Sequence, residues 1–134
     1  MIEPGDFTAK ASHARTIPIE RAISWHWHQD PDPKVRFAMA CRLPFDSEQL
    51  AYLLADPVAQ IAAMAHERSS FANFDQACRD ERWMVRQVGV AKTSSPTLVE
   101  KALKDINDIV RATAERRFYG RAGKLFTGRL QAIL

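Results

Sequence analysis

From Asp46 to Tyr119 apolar residues recur three and four positions apart between residues that start helices, and this pattern restricts the chain to short, packed helices. Asp46 and Gln49 have capping-box spacing, and Leu50, Leu53 and Leu54 form the stripe of a helix that ends before Pro57. Asp56-Pro57 opens the next helix, because aspartate accepts from free amides and proline in the first turn gives up no hydrogen bond. Its buried face is Val58, Ile61, Ala62 and Ala65. Ser69 or Ser70 then caps a longer helix with Phe74, Ala77, Cys78, Val85 and Val88 inward, Trp83 off the stripe and Gly89 as its stop. Ser95-Pro96 and the Thr97/Glu100 pair announce the longest helix, whose face of Leu98, Ala102, Ile106, Ile109, Val110 and Thr113 runs to about Tyr119. Gly120 and Gly123 break it, and Leu125, Phe126, Leu130 and Ile133 mark a final amphipathic helix.

Residues 18–43 admit two readings. Pro18, Ile19, Ala22 and Ile23, and later Ala38, Met39 and Ala40, favour helix. Yet Ile23, Trp25 and Trp27 alternate with Ser24, His26 and His28, and Val35 through Leu43 alternate too, so a β-hairpin across Asp30-Pro31-Asp32-Pro33 is the alternative. Residues 1–16 show no periodicity and read as an irregular N-terminal arm. No internal repeat of fixed period is read, which disfavours a solenoid. The 134 residues suit one domain, and helices this short must bury their stripes against one another. The expected fold is a single all-α domain, residues 1–134, built as a compact bundle of about five to seven short helices.

Composition narrows the function classes. With 46% hydrophobic and 26% charged residues the chain is an ordinary globular protein, not a disordered one. It has no apolar run of about 20 residues and no secretory leader pattern at Met1–Asp6, so a cytoplasmic protein without membrane contact is expected. Cys41 and Cys78 fall within apolar patterns and read as reduced core fillers. His26 and His28 share a face on a strand but diverge by about 200° on a helix, and two imidazoles are too few for a metal centre. No metal or other cofactor is expected. No nucleophile motif occurs, and Asp75, Asp80 and Glu81 read as a solvated charged face rather than an acid–base pair, so the protein is not expected to be an enzyme. Gly120-Arg121-Ala122-Gly123-Lys124 lacks the spacing and preceding strand of a phosphate loop and reads as a glycine break.

Charge is distributed unevenly. Residues 1–67 hold six Lys/Arg against nine Asp/Glu, whereas residues 68–134 hold thirteen against seven. Between Arg111 and Leu134 there are six cations and one acid, Glu115. Arg111, Arg116, Arg117, Arg121, Lys124 and Arg129, with Tyr119 among them, combine cations and aromatics as surfaces that track a phosphate backbone and stack bases do. They are the candidate nucleic-acid-binding residues, with RNA or single-stranded DNA as the partner. A solvated basic face is the plain alternative.

A helical chain of this length, without catalytic motifs and basic on one segment, resembles the small helical subunit of multi-subunit (class 1) CRISPR effector complexes. The likeness is one of outline, carried by the helix series from Asp46 to Leu134 and by the same six cations. It implies a non-catalytic part of an antiviral ribonucleoprotein that stabilises guide RNA and target strand through sequence-independent backbone contacts. Other subunits, and further copies of the chain itself, would be its partners. A second reading is a protein-interaction module, such as a phage or plasmid accessory protein or inhibitor, that uses Trp25, Trp27 and Trp83 as an aromatic patch.

Overall fold

A computed structural model describes the backbone of residues 7–133 and the side chains of residues 10–120. Among the described residues the chain is all-α, without a strand. The helices are α1 (Phe7–Ala14), α2 (Ile19–Ser24), α3 (Pro33–Arg42), α4 (Glu48–Tyr52), α5 (Ala59–Arg68), α6 (Phe74–Ala77), α7 (Trp83–Lys92), α8 (Pro96–Ala102) and α9 (Asp108–Ile133). Two 3-10 turns, Trp27–Gln29 and Leu53–Ala55, follow α2 and α4. None of the described helices is long and apolar enough to cross a membrane.

Several local expectations change. The hairpin alternative for residues 18–43 is overturned. His26 takes a left-handed backbone (φ 55°) after α2, and Asp32 caps α3 by accepting from the Lys34 amide, with Pro33 in the first turn. The alternation Val35, Phe37, Met39, Cys41 is resolved by the helix, with Val35 and Met39 buried and Phe37 and Cys41 exposed. The N-terminal arm is helical over Phe7–Ala14, and Ala14 and Ile17 enter the core. Ser47, not Asp46, caps α4, its hydroxyl accepting from the Leu50 amide. Gly89 lies inside α7, and Gly120 and Gly123 lie inside α9 rather than ending a helix.

The two longest expected helices are each cut in two, at Asp80 and at Asp105. In both places the aspartate carboxylate accepts the amide two residues on, from Arg82 at 2.8 Å and from Asn107 at 2.9 Å, and this local turn competes with helix continuation. The same turn precedes α3 and α5, where Asp30 accepts from Asp32 and Asp56 from Val58, both at 2.9 Å. The four aspartates stand 26, 24 and 25 residues apart. The chain therefore does carry an internal repeat, made of an aspartate turn followed by a helix.

Arginines complete the repeated unit. Arg36, Arg86 and Arg111 donate through Nη1 to the carbonyl of the aspartate six residues before, at 2.8, 3.0 and 2.7 Å. Arg36 Nε also reaches Asp56 at 2.8 Å, and Arg86 Nε reaches Asp105 at 2.9 Å, so the guanidinium ties one aspartate turn to the next. A second arginine, twelve residues after the aspartate, caps the helix of the preceding repeat. Arg42 donates to the carbonyls of Ala14 (2.6 Å) and Ile17, Arg68 to Ala40 and Leu43 (2.5 and 2.7 Å), and Arg117 to Val90 and Thr93 (2.8 and 2.5 Å). The last carbonyls of a helix lack intrahelical partners and carry partial negative charge, so a guanidinium satisfies both needs.

The chain divides into two compact units, Met1–Ala72 and Asn73–Leu134. Each has its own hydrophobic cluster, where a single core is expected from length. In the first unit Val35, Met39, Leu43, Leu50, Leu53 and Ile61 are fully buried among α1, α3, α4 and α5, each burial contributing about 1.5–3 kcal/mol. In the second, Val90, Val99, Ala102, Val110 and Ala114 form a smaller cluster against which Trp83, Leu103 and Phe118 pack. There α7 lies so close to α6 that a Cβ at Gly89 would come within 2.5 Å of the Cys78 amide nitrogen and 2.8 Å of the Phe74 carbonyl oxygen.

Candidate binding surfaces

The basic C-terminal set is sorted by this frame. Arg117 is half-buried with its guanidinium on the end of α7, and Arg111 is half-buried with its guanidinium on the Asp105 carbonyl. Both are internal clamps in this structure. Arg116 and Tyr119 are exposed, one turn apart on α9, and Arg116 makes only a long contact of 3.4 Å to the Thr113 hydroxyl. The side chains of Arg121, Lys124 and Arg129 lie outside the described residues. The structure thus leaves Arg116 and Tyr119 as the described candidates for a phosphate or base contact.

The tryptophans do not act as one group. Trp27 is buried, with the tilted Trp25 ring 5.5 Å away, Lys10 over its own ring and the His13 ring edge-on to it. Trp83 packs into the second unit's cluster. Trp25 alone is largely exposed, at 54%. Lys10 is also paired with Asp30, filling at α1 the place that arginine takes later in the chain.

His28 is buried, edge-on to Tyr52 at 5.4 Å, and its Nδ1 has no hydrogen-bond partner. Burial, with the neighbouring His26, holds its pKa below the usual imidazole value, so it is neutral at pH 7. Among the described residues no three His, Cys, Asp or Glu side chains group as a metal site. Cys41 differs from the core reading in being exposed, whereas Cys78 packs half-buried against the second unit's cluster, with burial and the nearby Asp75 pushing its thiol up to about 11.

The feature that sequence reasoning misses is a groove in the first unit between α1, α3 and α5, of about 560 Å³. Its apolar lining is Ala11, Phe37, Ala38, Cys41, Val58 and Ile61. Arg15 and Lys34 also line it, Arg42 is engaged in capping α1, and no acidic residue lines it. The groove exists because α3 presents two faces. Val35 and Met39 turn into the core, while Lys34, Phe37 and Cys41, at i, i+3 and i+7, form an outward ridge. A large aromatic off the buried stripe of α3 is the sequence signal that could have pointed to it.

No protein-family model matches the chain, and no curated protein or solved structure is significantly similar to it.

Proposed function

We propose that the protein is a non-catalytic binding module that holds a partner protein on the helical face of its first unit. The observation that supports this most is the open groove over Phe37 and Cys41, a concave surface of about 560 Å³ lined mostly by apolar side chains and by no carboxylate. The polar groups of the repeat serve the frame: the aspartates hold turns, and the arginines clamp turns and cap helices. Capture of partners by the tagged full chain from its native cells tests the reading. Capture that survives nuclease and about 0.5 M salt, where screening reaches only a few ångströms, and that is lost with Phe37→Glu, is the expected result.

A second reading keeps the basic segment as a sequence-independent contact to RNA or single-stranded DNA, as the small-subunit resemblance implies. The exposed Arg116 and Tyr119 on α9 favour it. Under that reading capture is nuclease-sensitive, and replacing Arg116, Arg121, Lys124 and Arg129 by Ala flattens the salt slope by roughly 0.7 per lost contact on a single strand.

A further inference from the structure

We propose that the groove of the first unit docks a helical segment of a partner protein, about two turns long, whose apolar side chains enter over Phe37 and Cys41 and whose acidic residues meet Lys34 and Arg15 at the two ends. This rests on the binding-module reading and adds the chemistry of the partner.

The charges set the polarity of the occupant. Lys34 lies in the first turn of α3 and Cys41 in its last, seven residues and so about 10 Å further along. Arg15 stands at the Cys41 end, close enough for its charge to act on that thiol. The groove therefore has a cation at each end, an apolar floor between them and no carboxylate in its lining. An apolar segment with acidic flanks complements it, and a basic one is repelled.

The backbone of the occupant must be helical for a separate reason. An extended segment bound to protein adds to a sheet edge or finds other main-chain partners. Here no strand occurs among the described residues, and the lining is mostly apolar side chain. A segment buried there as an extended chain would leave amides and carbonyls unpaired, whereas a helix satisfies its own. Two turns match the rise of about 10 Å from Lys34 to Cys41 along α3, and the groove volume falls in the range of sites that enclose anchoring side chains.

Selection of a display library of helix-forming peptides of about 14 residues against the full chain tests the proposal. Enriched peptides should carry apolar residues at i and i+3 or i+4 with Asp or Glu on both flanks. At saturation a synthetic copy should slow alkylation of Cys41 by iodoacetamide at least about tenfold, by covering the thiol. The Arg15→Glu/Lys34→Glu double variant should bind that peptide about tenfold more weakly and favour its Lys-flanked counterpart. Phe37→Glu, with Phe37→Ala as a milder second variant, should abolish or reduce binding while the circular dichroism spectrum stays unchanged. Binders without acidic flanks, or binders that leave Cys41 reactive, overturn the proposal. Binders indifferent to the Phe37 variants place the binding face elsewhere and leave the module reading standing, whereas nuclease-sensitive capture overturns that reading itself. A library without binders overturns the helical occupant whatever the capture shows. Self-association that shields Cys41 without peptide assigns the groove to a second copy and overturns it as well.

Discussion

The two units use one polar frame around two different fillings. In the first, Arg36 joins the turns at Asp30 and Asp56 around a core of Met, Leu, Ile and Val; in the second, Arg86 joins Asp80 and Asp105 around Val and Ala with a tightly seated Gly89. The first unit also shows an aromatic and a cysteine on the outer face of α3, whereas α7 has Gln87 and Ala91 at those places in the repeat. Aspartate turns and arginine clamps set where helices begin and which turn follows which, and they tolerate changes of packing and of surface. Function is then free to vary on the outward positions. A buried ion pair is weak as a source of net stability but can fix register, which matches its recurrence here.

The clamps are where the comparison can be broken most sharply. Arg36→Ala is expected to destabilise by about 3–5 kcal/mol, because it strips the guanidinium from a buried carboxylate. Arg86→Ala should fall toward the lower end of that range, since the Asp56 side chain is 2% exposed and that of Asp105 13%. Urea unfolding, with hydrogen exchange read separately on α3 and α7, measures both. If the two variants lose nothing, the frame is not what holds the turns.

Glycine positions give the next largest contrast. Gly89→Ala should cost about 1–3 kcal/mol despite the better helix propensity of alanine, because the new methyl meets the backbone of Cys78 and Phe74. Gly120→Ala meets nothing within 4 Å and should gain up to about 1 kcal/mol. Thermal unfolding of the pair sharpens the contrast between a glycine seated against a neighbouring backbone and one facing open space.

Acid should act on both units, through different groups. Burial raises the Asp105 pKa, but the Arg86 hydrogen bonds, the Asn107 amide and the charges of Arg86 and Arg111 outweigh it and hold the carboxyl below its ordinary range. Its contribution is present above the unfolded pKa of about 3.9 and is lost as pH falls through the lower folded value. His28, depressed below about 6.5, loses stability in the same direction at a higher pH, since the unfolded chain takes up its proton first. Unfolding midpoints across pH should therefore fall in two stages. His28→Gln should flatten the upper stage and Asp105→Asn the lower.

The smallest expected effects separate clamps from outward residues within one helix. Arg117→Ala should cost about 1–3 kcal/mol by uncapping α7, while its neighbour Arg116→Ala should stay within about 0.5 kcal/mol. A reversed order would return Arg117 to the solvated basic face.

Much of the fold was legible in particular residues. Pro96 after Ser95 and the spacing of Leu50, Leu53, Ile61 and Ala65 report local hydrogen bonds and a 3.6-residue period, which short sequence windows contain. The repeat was legible too, as Asp followed six residues later by Arg at Asp30, Asp80 and Asp105, but an apolar-stripe reading runs through Asp80 and Asp105 because it does not see the turn the carboxylate makes.

The sequence by itself determined that this is an all-α protein, that a helix starts at Ser95-Pro96, and that its positive charge lies toward the C-terminus. Only the tertiary structure decided what the charged residues do. Arg116 and Arg117 are adjacent and chemically identical, yet one faces solvent and the other reaches carbonyls 24 and 27 residues away. That choice depends on where a neighbouring helix ends in space. In the same way, Phe37 and Cys41 form the floor of a groove because α1 and α5 flank α3, an arrangement set by the packing of residues far apart in the chain rather than by any window around them.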